Sequence, residues 1–317
     1  MTKNPIPSQP NRTDDLIEAR NDAEQVSLYR KLVETHPEEE SRLFTLAWAL
    51  YDSGGREEAL EDFERLFQKE VARKVFTGFA YDELVRIYRG ERNWEKLISV
   101  CERAGAAQPE DVGLLRTLGE AYLAAGRAAD ALRVFSKLTV LEPQAAELWC
   151  LMGDALLAAG EPERANGACC RAAEIDPADA ATFFSRFADA CLRAGFLEHA
   201  RRAWKRCLAL RPDEPLYWMG LGVVLIREGE VDAAEKAYRR AASLSPAAAG
   251  NCWHRMGDLL AKEGLHLQAT EAFTKAVAAE PKNPRYLLRL AASYAARGLV
   301  DLAAGVLREA EALLKGG

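Results

Sequence analysis

Residues 112–143 read VGLLRTLGEAYLAAGRAADALRVFSKLTVLEP. The apolar spacing predicts two amphipathic helices, roughly Gly113–Ala125 and Ala128–Leu141. Gly126 separates them, because glycine accepts the backbone angles that a helix end requires. Pro143 closes the unit, since it has no N–H with which to continue a helix. Leu118, Gly119 and Tyr122 share one face of the first helix, and Ala131, Phe135 and Leu138 share one face of the second. Those faces bury against each other, and what remains apolar needs a neighbour.

The neighbour is another copy. Prolines recur at 109, 143, 177, 212, 246 and 281, in steps of 34, 34, 35, 34 and 35 residues. A fixed period of this size marks a stacked array of repeats. Trp149, Met152, Gly153, Leu156, Ala165, Cys169 and Pro177 fill a common set of slots. Trp218, Leu221, Gly222, Leu225, Ala234, Tyr238 and Pro246 fill it again, and Trp253, Met256, Gly257, Leu260, Ala269, Phe273 and Pro281 once more. The pattern Trp-x2-Leu-Gly-x2-Tyr…Ala-x3-Phe…Pro resembles the tetratricopeptide repeat (TPR) family. The resemblance implies an all-α, right-handed α-solenoid of stacked antiparallel helix hairpins, with about eight to nine repeats.

In order along the chain, residues 1–12 read as a disordered polar tail and 13–317 as a single solenoid. Residues 13–37 read as a degenerate first repeat whose first helix lies around Asp14–Arg20. Further repeats start near 40, 78, 112, 146, 181, 215, 250 and 284. The step from 40 to 78 carries four extra residues, about one helical turn, which predicts a longer second helix through Glu61–Lys74. In the repeat from 78, Val85 stands in the glycine slot and Leu97 in the alanine slot, so looser packing is expected there. No capping helix follows the last repeat, and Ala304, Leu307 and Leu314 there are either solvated by their acidic neighbours or form an end-to-end surface for a homo-oligomer.

A single array explains how 317 residues can form one elongated domain, because each repeat contacts only its neighbours. The net charge of −6 argues against a general nucleic-acid binder, which needs a basic face to release counterions. No apolar run is long enough for membrane insertion, and MTKNPIPSQPNRTDD at the N-terminus does not read as a signal peptide. Seven cysteines without paired spacing point to a reducing compartment, hence an expectation of cytoplasm.

Chemistry is sparse. No phosphate loop, dinucleotide fingerprint, nucleophile elbow or HExxH occurs, so neither an enzyme nor a cofactor is expected. The histidines His36, His199, His254 and His266 lack ligand spacing for a metal. Most cysteines occupy packing slots, whereas Cys150 falls at a groove position and is the thiol expected to react. Arg201, Arg202, Lys205, Arg206, Lys236, Arg239 and Arg240 read as a solvated face or a convex basic patch.

In TPR arrays the first helices line a concave groove, and the resemblance assigns groove positions by phase. The candidates are Cys150, Asp154, Arg186, Asp189, Met219, Val223, Ile226, His254, Arg255 and Asp258. Met219, Val223 and Ile226 form the expected apolar strip, flanked by charge, which suits a protein or peptide partner. Phe44, Trp48 and Tyr51 form a second, aromatic patch, either covered by residues 13–35 or open to a partner. The clamp with which some TPR domains grip a C-terminal carboxylate is not matched by Asp82/Arg86, Arg116/Glu120, Cys150/Asp154 or Ser185/Asp189. The expected function is a non-catalytic scaffold or adaptor; the alternative is a regulatory or chaperone-like module of a bacterial secretion, pilus or surface-polymer system.

Overall fold

The computed structural model describes residues 12–76 and 79–316, with the side chains of 12–21 and 316 excepted. The described residues form α-helices and one short 3-10 turn, with no strand. Of the expected N-terminal tail, residues 1–11 lie outside the described residues, and Arg12 already opens a helix.

The helices gather into two compact units, one ending at Leu141 and one beginning at Glu142. The first holds α1 (Arg12–Thr35), α2 (Glu40–Asp52), α3 (Arg56–Arg73), α4 (Ala80–Gly90), α5 (Trp94–Ala107), α6 (Val112–Ala124) and α7 (Ala128–Leu141). The second holds α8 (Ala146–Ala158), α9 (Pro162–Ile175), α10 (Ala180–Ala194), α11 (Leu197–Leu210), α12 (Pro215–Arg227) and α13 (Val231–Leu244). It continues with α14 (Ala249–Lys262), α15 (His266–Ala279), α16 (Pro284–Ala296) and α17 (Val300–Gly316). From α2 onward the helices pair as hairpins, and α1 stands alone before them. The two-helix first repeat expected over 13–37 is therefore one unbroken helix, because no glycine or proline interrupts the chain between Arg12 and His36.

Each hairpin closes in the same way. Gly126 lies in the left-handed region at φ 75°, and Arg127 N–H reaches back to the Tyr122 carbonyl at 2.8 Å. This is the Schellman closure, which satisfies carbonyls that the helix end would otherwise leave unpaired. It recurs from Glu161 to Leu156, Phe196 to Cys191, Glu230 to Leu225 and Leu265 to Leu260. The α4–α5 turn uses Arg92 at φ 54°, where its counterparts use glycine. Between hairpins, Trp149 Nε1 donates to the Pro143 carbonyl at 3.0 Å and Trp218 Nε1 to that of Pro212 at 2.8 Å. An indole thus pins the start of a first helix to the loop before it.

Inside a hairpin, the glycine slot admits a ring. A Cβ on Gly119 would stand 2.7 Å from the Phe135 ring, one on Gly222 2.6 Å from Tyr238 and one on Gly257 2.6 Å from Phe273. Opposite Gly153 the ring slot holds Cys169, and a Cβ there meets nothing closer than 3.6 Å. The α4–α5 hairpin follows the same size rule, with Cys101 in the ring slot and Val85 in the glycine slot. Its core is closed, with Leu84, Leu97, Cys101 and Ala104 wholly buried, so the looser packing expected there is not observed.

α3 is longer than its counterparts, 18 residues against 14 in α5 and α7, as the four-residue insertion predicts. The extra turn has partners. Glu70 is buried, and its carboxylate accepts the N–H groups of Ala80 at 3.2 Å and Tyr81 at 2.9 Å, which caps α4. Burial pushes the Glu70 carboxyl up, and the two N–H donors pull it back. Arg73 forks onto Glu40 at 2.8 and 2.7 Å and ties the end of α3 to the start of α2.

Candidate functional site

The first helices of the second unit, α8, α10, α12, α14 and α16, carry the sequence-assigned groove positions. The structure divides those residues into three groups.

The first group is buried. Met219 and Ile226 are 6% and 3% exposed, and Met219 Sδ lies 3.5 Å from Cys252 Sγ on α14. The apolar strip expected on the surface is therefore largely an interface with the following hairpin, because successive first helices pack on each other. Val223, between them, is half-buried and reaches solvent. Cys150 is also buried, beside Cys169, Phe183 and Phe187. Burial pushes its thiol up to about 12, which overturns the expectation that it reacts. Cys101 is raised to about 11, and Cys191 and Cys207 to about 12, by the same cause. Cys170 is the half-exposed one among the seven, with Arg206 Nη1 at 2.9 Å from its sulfur.

The second group is committed to ion pairs between neighbouring first helices. Arg186 on α10 donates to Glu147 at 2.8 Å and to Asp154 at 2.6 Å, both on α8. Arg289 Nε on α16 donates to Asp258 on α14 at 2.8 Å. His254 lies 2% exposed between the rings of Phe273 and Tyr286, with centroids 5.9 and 5.1 Å away. Its Nδ1 is 3.6 Å from Asp258 Oδ2, and its buried Nε2 has no hydrogen-bond partner. Burial holds the imidazole below its usual range, and the Arg285 and Arg289 charges push the same way against Asp258.

The third group faces solvent. Asp189 on α10 and Arg255 on α14 are exposed, and Val223 on α12, the first helix between those two in chain order, is half-buried. Enough protein surrounds Asp189 to raise its carboxyl despite its contact with water, while Arg193 and Arg255 pull it down. Next to it, Leu157 on α8 and Arg186, Ala190 and Arg193 on α10 line a shallow concavity. Arg193, Arg285 and Arg289 also face solvent on these first helices and were not among the candidates named from the sequence. Arg289 follows Arg255 by 34 residues, one repeat period, and that periodicity was the available signal.

The aromatic patch lies in the first unit. Phe44, Trp48 and Tyr51 are all half-buried. Phe44 packs edge-on against Phe63 at 5.7 Å and Phe79 at 5.6 Å, and Trp48 against Phe63 at 5.4 Å. Arg86 lies 4.6 Å over Trp48 and Arg56 5.7 Å over Tyr51. These covering groups come from α3, from α4 and from Phe79 immediately before α4. α1 instead engages the α2–α3 hairpin through Arg30–Glu58, at 2.6 Å, and Arg42 to the Leu32 carbonyl, at 3.4 Å.

The convex basic residues are largely paired with acids. Arg201 meets Glu228 at 3.4 Å and Glu230 at 2.9 Å, Arg202 meets Glu198 at 3.2 Å, and Arg240 meets Asp213 at 3.2 Å. At the other end of the unit, α17 leaves Val300, Leu302, Leu307 and Leu314 exposed. Among the described residues no cluster could hold a metal, and no helix is long and apolar enough to cross a membrane.

Comparison with known proteins agrees with this architecture. The tetratricopeptide repeat profile matches residues 116–180, 186–249 and 254–317, and a second TPR profile matches 80–113. Human tetratricopeptide repeat protein 7B is 28% identical over 139 residues, which are 44% of this chain and 16% of that protein. The chain thus spans about one-sixth of that relative's length. A tetratricopeptide repeat protein from Parabacteroides merdae is similar at 14% identity and a TM-score of 0.49, over 83% of this chain and 98% of its own. YrrB, described as a TPR protein with an unusual peptide-binding site, is similar at 21% identity and a TM-score of 0.37, over 56% of this chain and 91% of its own. Repeats of this family are in general non-catalytic scaffolds for protein interaction. With the profile match spanning more than half of its residues, the chain belongs to the tetratricopeptide repeat family.

Proposed function

We propose that this protein is a non-catalytic adaptor that binds a segment of a protein partner on the first-helix face of its second unit. The site runs over α10, α12 and α14, with Asp189, Val223 and Arg255 as its exposed contacts. The observation that carries this reading is the row of solvent-reaching side chains on successive first helices, Asp189, Val223 and Arg255, next to a shallow concavity lined by Leu157, Arg186 and Arg193. A concave face buries more of a bound segment than a flat one, and polar groups beside a small apolar one suit an extended or helical peptide. Arg255 and Asp189 would orient that segment, and Val223 would take an apolar side chain from it.

The test is selection of binders from a displayed random-peptide library against the full chain, repeated with Val223→Arg. Val223 is half-buried and not wholly buried, so the longer side chain can leave toward solvent without unfolding α12. Selected peptides should lose at least 10-fold in affinity against the variant, a change of about 1.4 kcal/mol. Peptides that bind both proteins equally place the site elsewhere.

A further inference from the structure

The reading above leaves the chemistry of the partner open. The far end of the same face narrows it. On α16, Arg285 and Arg289 lie one turn apart and both act on His254 of α14, whose next residue is Arg255. All three arginines are exposed. The facing acid is Asp258, already engaged by Arg289 through Nε at 2.8 Å and through Nη2 to the same oxygen. Among the described residues neither Arg255 nor Arg285 has an ion pair, and Asp189 on α10 is the acid whose field Arg255 feels.

The surroundings sharpen the imbalance. The whole chain carries a net charge of −6, so a cationic patch runs against its average. The convex basic residues mostly have acids as partners, for instance Arg201 with Glu228 and Glu230, and Arg240 with Asp213. Arg186, two hairpins earlier on the first-helix face, holds two carboxylates, Glu147 and Asp154. At α14–α16 only Arg289 is paired, while Arg255 and Arg285 have no carboxylate bonded to them among the described residues. Leu288, 39% exposed on α16, adds an apolar side chain beside these charges.

We infer that the α14–α16 end of the groove takes an acidic, apolar-spaced peptide segment of a partner, its carboxylates received by Arg255 and Arg285 and its apolar side chains by Val223 and Leu288. This rests on the groove reading above and extends it. Guanidinium forks match carboxylates in geometry as well as charge. A nucleic acid would also present anions, but the acidic remainder of the chain repels a long polyanion, whereas a short peptide meets only the local patch.

The experiment uses the full chain and two labelled decapeptides, one alternating glutamate and leucine, the other lysine and leucine, read by fluorescence anisotropy. The Glu–Leu peptide should bind at least 10-fold more tightly than the Lys–Leu peptide. Its affinity should fall as salt rises from ~0.05 to ~0.5 M, where screening contracts to a few ångströms. Arg255→Glu with Arg285→Glu should reverse the preference, and both positions are exposed, so the fold should survive. A second readout is the His254 ring, followed by NMR titration. Its charged neighbours are Asp258, Arg285 and Arg289, with Tyr286 and the Glu280 that Tyr286 contacts also nearby. A bound carboxylate offsets the two arginines and raises the midpoint of the imidazole.

If the Lys–Leu peptide binds as well, and binds in a way that Val223→Arg abolishes, the acidic inference falls and the groove reading stands. If neither peptide responds to Val223→Arg, the groove reading itself falls and takes the inference with it. Overturning results also include no Glu–Leu binding at ~1 mM, indifference to the charge reversal, and displacement of the peptide by a thymidine 20-mer at a lower concentration than by unlabelled Glu–Leu peptide.

Discussion

Gly222 and Gly153 occupy the same slot in different hairpins, yet substitution should have opposite effects at the two sites. A methyl group on Gly222 meets the Tyr238 ring at 2.6 Å, so Gly222→Ala should cost about 1–3 kcal/mol through overpacking. On Gly153 the nearest atom is 3.6 Å away, so Gly153→Ala should gain up to about 1 kcal/mol from helix propensity. Arg92 is the converse case, a bulky residue in a left-handed turn, and Arg92→Gly should stabilise by about 1 kcal/mol. Urea denaturation midpoints check all three. His254 supplies a pH effect. Its imidazole is held below the usual 6.5, so the folded state takes up its proton later than the unfolded chain. That stability is complete above about pH 6.5 and is lost as pH falls below it. His254→Leu should flatten this part of the stability–pH curve. The Tyr–Gly and Phe–Gly pairs were legible in the sequence as slots. The fate of Met219 and Ile226 was not, because phase tells which face a residue occupies and not how far the next hairpin covers that face.

Among the elements, α3 shows how an insertion is accommodated. Its added turn carries Glu70 to the start of α4 and Arg73 to the start of α2, so the turn serves as a connector and not as slack. Glu70→Ala removes the acceptor for two buried N–H groups and should cost about 1–3 kcal/mol, read as a lower midpoint in thermal unfolding. Glu70→Gln, which keeps one acceptor oxygen, should lose less. The length of α3 followed from the four extra residues. Its capping role did not, because Glu70 sits 10 residues from its partner Ala80 across a turn that breaks helical periodicity. α1 was misread for a related reason. Its sequence carries apolar slots for a hairpin but no residue that turns the chain.

For the molecule as a whole, hairpins within each unit rest on their neighbours, so the stability of a unit is close to a sum of local contributions. Residues 142–317 expressed alone should remain helical and unfold cooperatively, as circular dichroism under thermal and urea denaturation would show. A fragment that stayed unfolded would mean that the second unit depends on the first. Thiol labelling of the folded chain should reach Cys170 well before the six buried cysteines, with all seven reacting once the chain is denatured. The array and its period were fully written in the prolines, glycines and tryptophans. The ion pairs between first helices were not, since pairs such as Arg186–Glu147 join residues 39 positions apart and depend on the stagger between hairpins.

The indoles pinned to Pro143 and Pro212 carry one more consequence. The six tryptophans fall at positions 48, 94, 149, 204, 218 and 253, one in each of six hairpins. Those at 149 and 218 sit in near-identical settings, each bound to the carbonyl of the loop before its helix. Their emission should shift to the red when that loop frays and water replaces the proline oxygen. With the other five changed to phenylalanine, each single-tryptophan chain becomes an optical gauge of one hairpin, and the order in which the hairpins melt could be followed without any added dye.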